Sequence, residues 1–264
     1  MRTQFKKKIS IIIVNYNNAK FLSKSINSIL SQKINNLEII VVDDKSTDNS
    51  IQILNRFKNK VMIIKNQKKT KFGSFNQINS YYKGYLKSKG EYIFFLDSDD
   101  FFKKDKLEKL VNKFRINKSE NIIFDLPIYK FKKKEIKKKF IQKKMIFSNW
   151  PRFSPQSCIS VRRSYAKELF KNLRIKKFND VWFDFRIATY SYIKFRSISI
   201  YNEYLTYYRQ VDNSASKEFI FFSRKWWLRR NQAHNYISYI SKKKKWSYKI
   251  TLDFILTKTI NFFL

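Results

Sequence analysis

YIFFLDSDDFF, Tyr92 to Phe102, sets three carboxylates into four positions directly behind a run of large apolar residues. The run has the length and character of a strand buried on both faces. Asp97, Asp99 and Asp100 at its end are like charges held close together, which is costly unless something positive binds them. They stand in a chain with 57 Lys and Arg against 20 Asp and Glu, a formal net charge of +37. Carboxylates in a turn at a strand end suit a hard divalent cation such as Mg²⁺ or Mn²⁺, held through one or two contacts with positions left for water and phosphate oxygens. An EF-hand calcium loop is excluded, because the alternating acids, glycine and distant Glu that it needs are missing. The alternative is a solvated turn whose acids cap a helix beginning near Lys103.

Outward from this stretch the chain alternates strands and helices. Ile9 to Tyr16 and Glu38 to Asp44 read as buried strands ending in polar residues, and Val61 to Lys65 as a third. Leu22, Ile26, Ile29 and Leu30 fall at helical spacing, as do Ile51, Leu54 and Phe57 behind a cap at Ser46 or Thr47. A Tyr-rich helix over 74–87 closes at Gly90, and Leu107, Leu110, Val111 and Phe114 mark another. Repeated strand–helix–strand units predict a parallel sheet with right-handed crossovers. Ligands bind beyond the carboxyl ends of such strands, where Asn15-Tyr16, Asp43-Asp44 and Asp97-Asp99 all fall.

After about residue 120 the rhythm changes. Strands are expected over 122–131 and 136–147, a loop over 151–158, helices over 164–172 and 180–192, and one or two strands over 197–210. Two helices separated by Lys242 to Lys245 follow. The chain has 264 residues, 43% of them hydrophobic, so it is long enough for a substantial core. Cys158 is the single cysteine and His234 the single histidine, which removes disulfide frameworks and Cys/His metal sites. A reducing, cytoplasmic compartment fits. The N-terminal apolar run, Ile9 to Val14, is shorter than a signal-peptide core and lacks a small-residue cleavage site. No stretch reaches about 18 consecutive apolar residues, so no membrane span is expected. The positive charge attracts polyanions, among them nucleic acid, an anionic leaflet and phosphorylated ligands. The Lys-, Ile- and Asn-rich composition is also what an A/T-rich coding sequence produces.

ISIIIVNYNNAKFLSKSINSILSQ, LEIIVVDDKSTDNS and KGEYIFFLDSDDFF, in this order and spacing over residues 8–105, resemble the family 2 glycosyltransferases. The resemblance implies an α/β, GT-A (Rossmann-like) fold: a mixed, mainly parallel sheet flanked by helices, here with a C-terminal helical tail. It divides the chain into a catalytic domain at 1–215 and a basic aromatic tail at 216–264. It implies that Val14 and Tyr16 line the base pocket of a nucleotide-sugar donor, that Asp44 hydrogen-bonds the base and that Asp97 faces the ribose side. Asp99 would bind the Mn²⁺ or Mg²⁺ that bridges the diphosphate, and Asp100 would support it. The family's usual glycine in the second motif is replaced by Lys45, which either changes the turn or contacts phosphate.

The second half matches only in patches. FNDVWFDFRIA, Phe178 to Ala188, is similar to the segment whose Asp is the catalytic base of inverting members. That position is Asp180, with a helix N-cap as its bland alternative and Asp184, able to pair with Arg186, as the second candidate. YYRQVDNSAS, Tyr207 to Ser216, keeps the family's Arg as Arg209, placed to contact the diphosphate, but carries Val211 where relatives have His. Arg162 and Arg163 follow a loop weakly similar to one near the acceptor; a solvated helix start explains them equally well. The function implied is metal-dependent, inverting transfer of a sugar from a nucleotide-sugar to an acceptor hydroxyl, in surface polysaccharide or lipid-linked glycan synthesis. An inactive GT-A-fold scaffold and a charge-driven nucleic-acid binder are the alternatives, although no nucleic-acid module is present. The tail mixes Trp, Tyr and Phe with Lys and Arg, as in segments that lie on an anionic membrane surface, so a peripheral position on the inner membrane face is expected.

Overall fold

The computed structural model describes residues 8–140, 147–148, 150–211, 218–245 and 249–264. Strand β1 (Ile9–Asn15) is buried along its whole length, which requires cover on both faces. It lies between β2 (Leu37–Asp43) and β4 (Tyr92–Asp97), parallel to each, with β3 (Met62–Lys65) parallel to β2 at the edge. The connections are helices α1 (Ala19–Leu30), α2 (Ser50–Arg56) and α3 (Gly73–Lys87). Alternation along the strands splits the core in two. Ile9, Ile11, Ile13, Val41, Phe94 and Leu96 pack with Leu22, Ile26 and Leu54, whereas Ile12, Val14, Ile40, Val42 and Phe95 pack with Ile78 and Tyr81.

Register positions the site. Asn15 pairs with Asp43, Asp43 with Lys65, and Val14 with Asp97, so the polar tips share one edge of the sheet. Beyond β4 the sheet continues through β8 (Ile159–Arg162), β6 (Ile122–Lys130), β9 (Ile200–Arg209) and β5 (Phe101–Phe102), with β7 (Glu135–Lys137) beside β6. β6 and β9 run parallel; the shorter pairings of β8, β7 and β5 are antiparallel. Helices α4 (Lys106–Ile116), α5 (Arg163–Leu173), α6 (Phe183–Phe195), α7 (Arg224–Lys243) and α8 (Leu252–Phe263) complete the described chain.

Several local expectations are corrected. The helix expected from Asp180 begins at Phe183 with Trp182 as N-cap, so Asp180 lies in the preceding turn and is not a cap. Ser46 and Thr47 do not cap α2, whose N-cap is Asn49; the Ser46 hydroxyl is drawn away to Asp43. The helix after the acidic stretch starts at Lys106 behind Asp105, leaving Asp97, Asp99 and Asp100 no capping role. Of the strand expected over 136–147 only β7 is present up to residue 140, and 141–146 lie outside the described residues. Arg162 and Arg163 are not a solvated helix start; both are half-buried and engaged with backbone. Arg162 donates to the carbonyls of Phe114, Asn117 and Glu120, and Arg163 to that of Gly90 and the Ser88 hydroxyl.

Gly90 does not close α3 through a left-handed cap, since no described glycine has positive φ. It is needed for close approach. A Cβ there would lie 2.4 Å from Ser10 Oγ and 2.5 Å from Ser10 N, and backbone cannot retreat as a side chain can. Gly90→Ala is expected to destabilise the fold by about 1 to 3 kcal/mol, the usual range for forced overpacking, read as a lower urea midpoint.

Candidate active site

The loops after β1 and β2 clasp one another. Asp43 accepts from Asn15 Nδ2 (2.8 Å) and Ser46 Oγ (2.6 Å), and Asp48 Oδ2 accepts from the Ala19 N–H (2.9 Å) at the start of α1. These two acids of VVDDKSTD are therefore spent on the fold. Asp44 is left facing the edge, holding Asn66 Nδ2 (2.8 Å) and the Lys69 ammonium (3.7 Å). Lys69 also stands 3.1 Å from the ring centroid of half-exposed Tyr16. Tyr16, Asp44 and Lys69 thus form one cluster, while Val14 is only 7% exposed beneath the strand end. Lys45 takes the left-handed conformation, φ 60°, with its side chain in solvent. The turn is the one a glycine would make, held by a residue that pays for its Cβ.

The acidic stretch is a deeper cluster. Carboxylate oxygens of Asp97, Asp99 and Asp100 lie within 4.8 Å of one another. Asp97 accepts from Tyr81 OH (2.8 Å), Gln77 Nε2 (3.1 Å) and Gln156 Nε2. Asp100 accepts from Ser157 Oγ (2.6 Å) and the Arg209 N–H (2.7 Å). Burial, followed by mutual repulsion for Asp97 and Asp100, pushes their carboxyls well above the ordinary range. Asp99 is raised by burial alone, with Arg209 opposing. Three crowded carboxyls that resist ionisation are a donor set for one hard divalent cation, whose charge would offset both penalties. The Arg209 guanidinium stacks on Phe21 and Phe101 at 4.3 and 5.3 Å, near Asp99 and Asp100. Its buried Nε has no hydrogen-bond partner among the described residues, a donor in place for an anion.

Beneath the cluster lies a cation that sequence reasoning missed. Lys106 is wholly buried, with Nζ 2.7 Å from Asp125, 2.7 Å from the Ser157 carbonyl and 2.6 Å from Thr206 Oγ1. Ser157 relays it upward, because its hydroxyl accepts from the Asp97 N–H (3.0 Å) and donates to Asp100. Lys106 and its three partners come from segments up to 100 residues apart, and no local pattern announces them. Val211 ends the described stretch, and 212–217 of the YYRQVDNSAS segment lie outside the described residues.

Asp180 sits apart from the cluster. Its Oδ2 accepts from Gln232 Nε2 (2.7 Å) and its N–H donates to Gln232 Oε1 (3.1 Å), both from α7. The turn carrying it wraps around Arg186, which donates to the carbonyls of Leu173, Ile175, Phe178 and Val181 and so does not pair with Asp184. Asp180 lines a cavity of about 170 Å³ with Lys71, Phe72, Glu218, Phe219, Lys225 and Leu228. Asp184 lies on the other side, close enough to raise Asp97 further, and burial pushes it up to about 6. Arg229 bridges the two sides. Its Nε donates to the Asp180 carbonyl (2.8 Å), it stacks on Trp182 and Phe219, and both Asp184 and Asp180 oppose the burial that brings it down to about 10. Arg229 and Gln232 belong to the tail and carry no sequence signal of this role.

Residues 10–174 match the model of glycosyl transferase family 2. The chain belongs to this family. Among similar proteins is the poly(ribitol-phosphate) beta-N-acetylglucosaminyltransferase TarP of Staphylococcus aureus, 37% identical over 121 residues, 44% of this chain and 36% of that protein. The cholesterol galactosyltransferase of Borreliella burgdorferi is 31% identical over 173 residues, 64% of this chain and 42% of that protein. The chain thus spans about half or less of the length of these two relatives. The structure of S. aureus TarS 1–349 with UDP-GlcNAc superimposes with a TM-score of 0.63 at 18% identity, covering 87% of this chain and 66% of that one. That of the mannosyltransferase PcManGT of Pyrobaculum calidifontis, with GDP-Man and Mn²⁺, gives 0.53 at 13%, covering 96% and 69%. These likenesses establish the GT-A fold of this family 2 chain: a mixed sheet whose longer pairings are parallel, flanked by helices, with a helical tail.

Two stability predictions follow from the site's construction. Lys45→Gly should stabilise the family 2 fold by about 1 kcal/mol by relieving the left-handed strain, seen as a raised urea midpoint. Lys106→Met should cost about 3 to 5 kcal/mol by stranding buried Asp125, whereas Lys106→Met with Asp125→Leu should recover most of that loss in thermal unfolding.

Proposed function

We propose that this chain transfers a sugar from a nucleoside-diphosphate sugar to an acceptor hydroxyl with inversion at the anomeric carbon. The observation that carries this reading is the pairing of the crowded Asp97, Asp99 and Asp100 carboxyls with the Arg209 Nε, which has no partner among the described residues, at the same sheet edge. One side is made for a cation and the other for an anion, which is what a metal-bound diphosphate presents. Asp99, half-buried and held by no other side chain among the described residues, is the assigned ligand for Mn²⁺ or Mg²⁺, and Arg209 donates to the diphosphate. When bound, the cation supplies Lewis-acid neutralisation of charge growing on the leaving diphosphate. Tyr16 and Asp44, over Val14, form the base pocket, and Lys69 must swing off the Tyr16 face to admit the base. Asp97, held by Tyr81, Gln77 and Gln156, marks the ribose side.

Asp180 is the assigned general base. Gln232 holds one carboxylate oxygen, and the cavity beside it is open to an acceptor. Asp180 takes the proton of the acceptor hydroxyl, the hydroxyl oxygen bonds to the anomeric carbon, and the bond from that carbon to the diphosphate oxygen breaks on the opposite face. Asp184 lies on the donor side of Arg229, close to Asp97, and suits sugar contact better than proton abstraction. Residues 1–215 then form the catalytic unit and 216–264 the tail that seats Gln232 and Arg229. The relatives' activities on ribitol-phosphate polymers and on cholesterol support acceptors belonging to a surface glycan or a lipid.

Asp180→Asn is expected to lower transfer by a factor of about 10² to 10⁴ with donor affinity unchanged. Asp99→Ala should abolish both transfer and the Mn²⁺-dependent rise in melting temperature that the correct nucleotide-sugar produces. Transfer at the parent rate by the Asp180→Asn protein would sink the base assignment.

A further inference from the structure

The rim of the Asp180 cavity continues into an exposed aromatic patch. Glu218, Phe219, Lys225 and Leu228 face the cavity, and the residues between them turn outward. Ile220, Phe221 and Phe222 are 71%, 67% and 63% exposed. Phe222 holds a φ of 64°. A bulky residue in that conformation while its ring stands in water is disfavoured twice, and an outlier of this kind points to use. Phe221 and Phe222 pack at a tilt against each other (4.1 Å) and edge-on or tilted against Trp226 (4.9 and 5.6 Å), which holds the rings as a unit.

The end of α8 extends the patch. Arg224 Nη2 donates to the Leu264 carbonyl (2.8 Å) and Asn261 Nδ2 to the Trp227 carbonyl (3.1 Å). These bonds bring Phe262 and Phe263, 83% and 80% exposed, to the same end of the molecule. Exposed apolar side chains gathered at one end of the molecule mark an interaction surface. The surrounding charge selects its partner. Arg224 and Lys225 open α7 beside the patch, Arg229 lies over Phe219 and Arg230 over Trp226, against Glu218 and Asp253. Both acids are already paired, Glu218 with Lys225 and Asp253 with Arg230 and His234. Among the described residues no helix is long and apolar enough to cross a membrane. Aromatic side chains set in a basic surface fit the headgroup layer of an anionic bilayer, which offers apolar depth and negative charge together.

We propose that the 220–222 loop and the end of α8 seat the chain on an anionic bilayer, so that the Asp180 cavity opens at the lipid surface and takes its acceptor hydroxyl from a lipid headgroup. The acceptor half of this inference rests on the transferase reading above. The docking half stands on the patch alone.

The test sediments the full chain with phosphatidylcholine vesicles and with vesicles that also contain phosphatidylglycerol. The chain should bind the anionic vesicles, bind the neutral ones far less, and be released as salt rises. Phe221→Ser with Phe222→Ser should weaken vesicle binding by about tenfold or more, given the apolar area removed. Phe262→Ser with Phe263→Ser, on a separate element, should weaken it as well. The nucleotide-sugar melting shift, measured without vesicles, should be unchanged in both pairs. Asp99→Ala should leave vesicle binding intact while losing the donor response, so failure of the transferase reading and failure of docking are told apart. Docking is overturned if either aromatic pair binds as the parent does, or if neutral and anionic vesicles bind alike. It is also overturned if light scattering shows a parent oligomer that the substitutions dissolve while no vesicle binding occurs.

Discussion

Three carboxyls crowded at the end of a wholly buried strand set the terms for the rest of this structure. Burial and repulsion both resist their ionisation, so the surrounding chain has to hold them without neutralising them. Tyr81, Gln77 and Gln156 hold Asp97; Ser157 and a backbone N–H hold Asp100. Asp99 is left the least engaged and the most available. Arg209 is the one guanidinium close to Asp99 and Asp100 among the described residues, and Lys106, committed below to Asp125, reaches the cluster only through Ser157. This leaves a preorganised deficit of positive charge, which a divalent cation would offset and a lysine salt-bridged to all three acids would have abolished.

The same economy explains why the site draws on so much of the chain. Strand β5, two residues long, pairs with β9 and so brings Arg209 against Asp100. The 3₁₀ turn at Gln156–Cys158 closes the cluster from the opposite side, and burial pushes the Cys158 thiol far up, removing it from chemistry. On the acceptor side, Arg186 spends its guanidinium on four carbonyls to shape the turn bearing Asp180. Helix α7 then supplies Gln232 and Arg229. A tail that reads as an appendage in the sequence thus braces the turn bearing Asp180, and its cavity-lining and exposed surfaces meet at Phe219–Phe222.

Strand–helix alternation up to Phe114 was legible because burial on both faces demands continuous apolar strands, and those strands end in polar residues by necessity. The cluster Asp97, Asp99, Asp100 and the placement of Asp44 and Tyr16 at the same edge were legible for the same reason. Less was legible beyond residue 120, where strands are short or antiparallel and helix starts are set by contacts. Asp180 illustrates this: its segment has helical spacing, yet the helix waits until Phe183 because Arg186 pulls the preceding carbonyls into a turn.

The sequence by itself determined the family, the α/β order and the acids that a cation needs, since each is written in local pattern: apolar runs, strand-end carboxylates and motif spacing. Only the tertiary structure decided which acids are spent on the fold and which remain. Asp43 and Asp48 brace loops, whereas Asp44 and Asp99 face the edge, although all four look alike in the chain. Only folding revealed Lys106, Ser157, Arg229 and Gln232. Their roles depend on contacts between segments about 50 or more positions apart, and hydrogen bonding across such distances leaves no periodicity for a sequence to show.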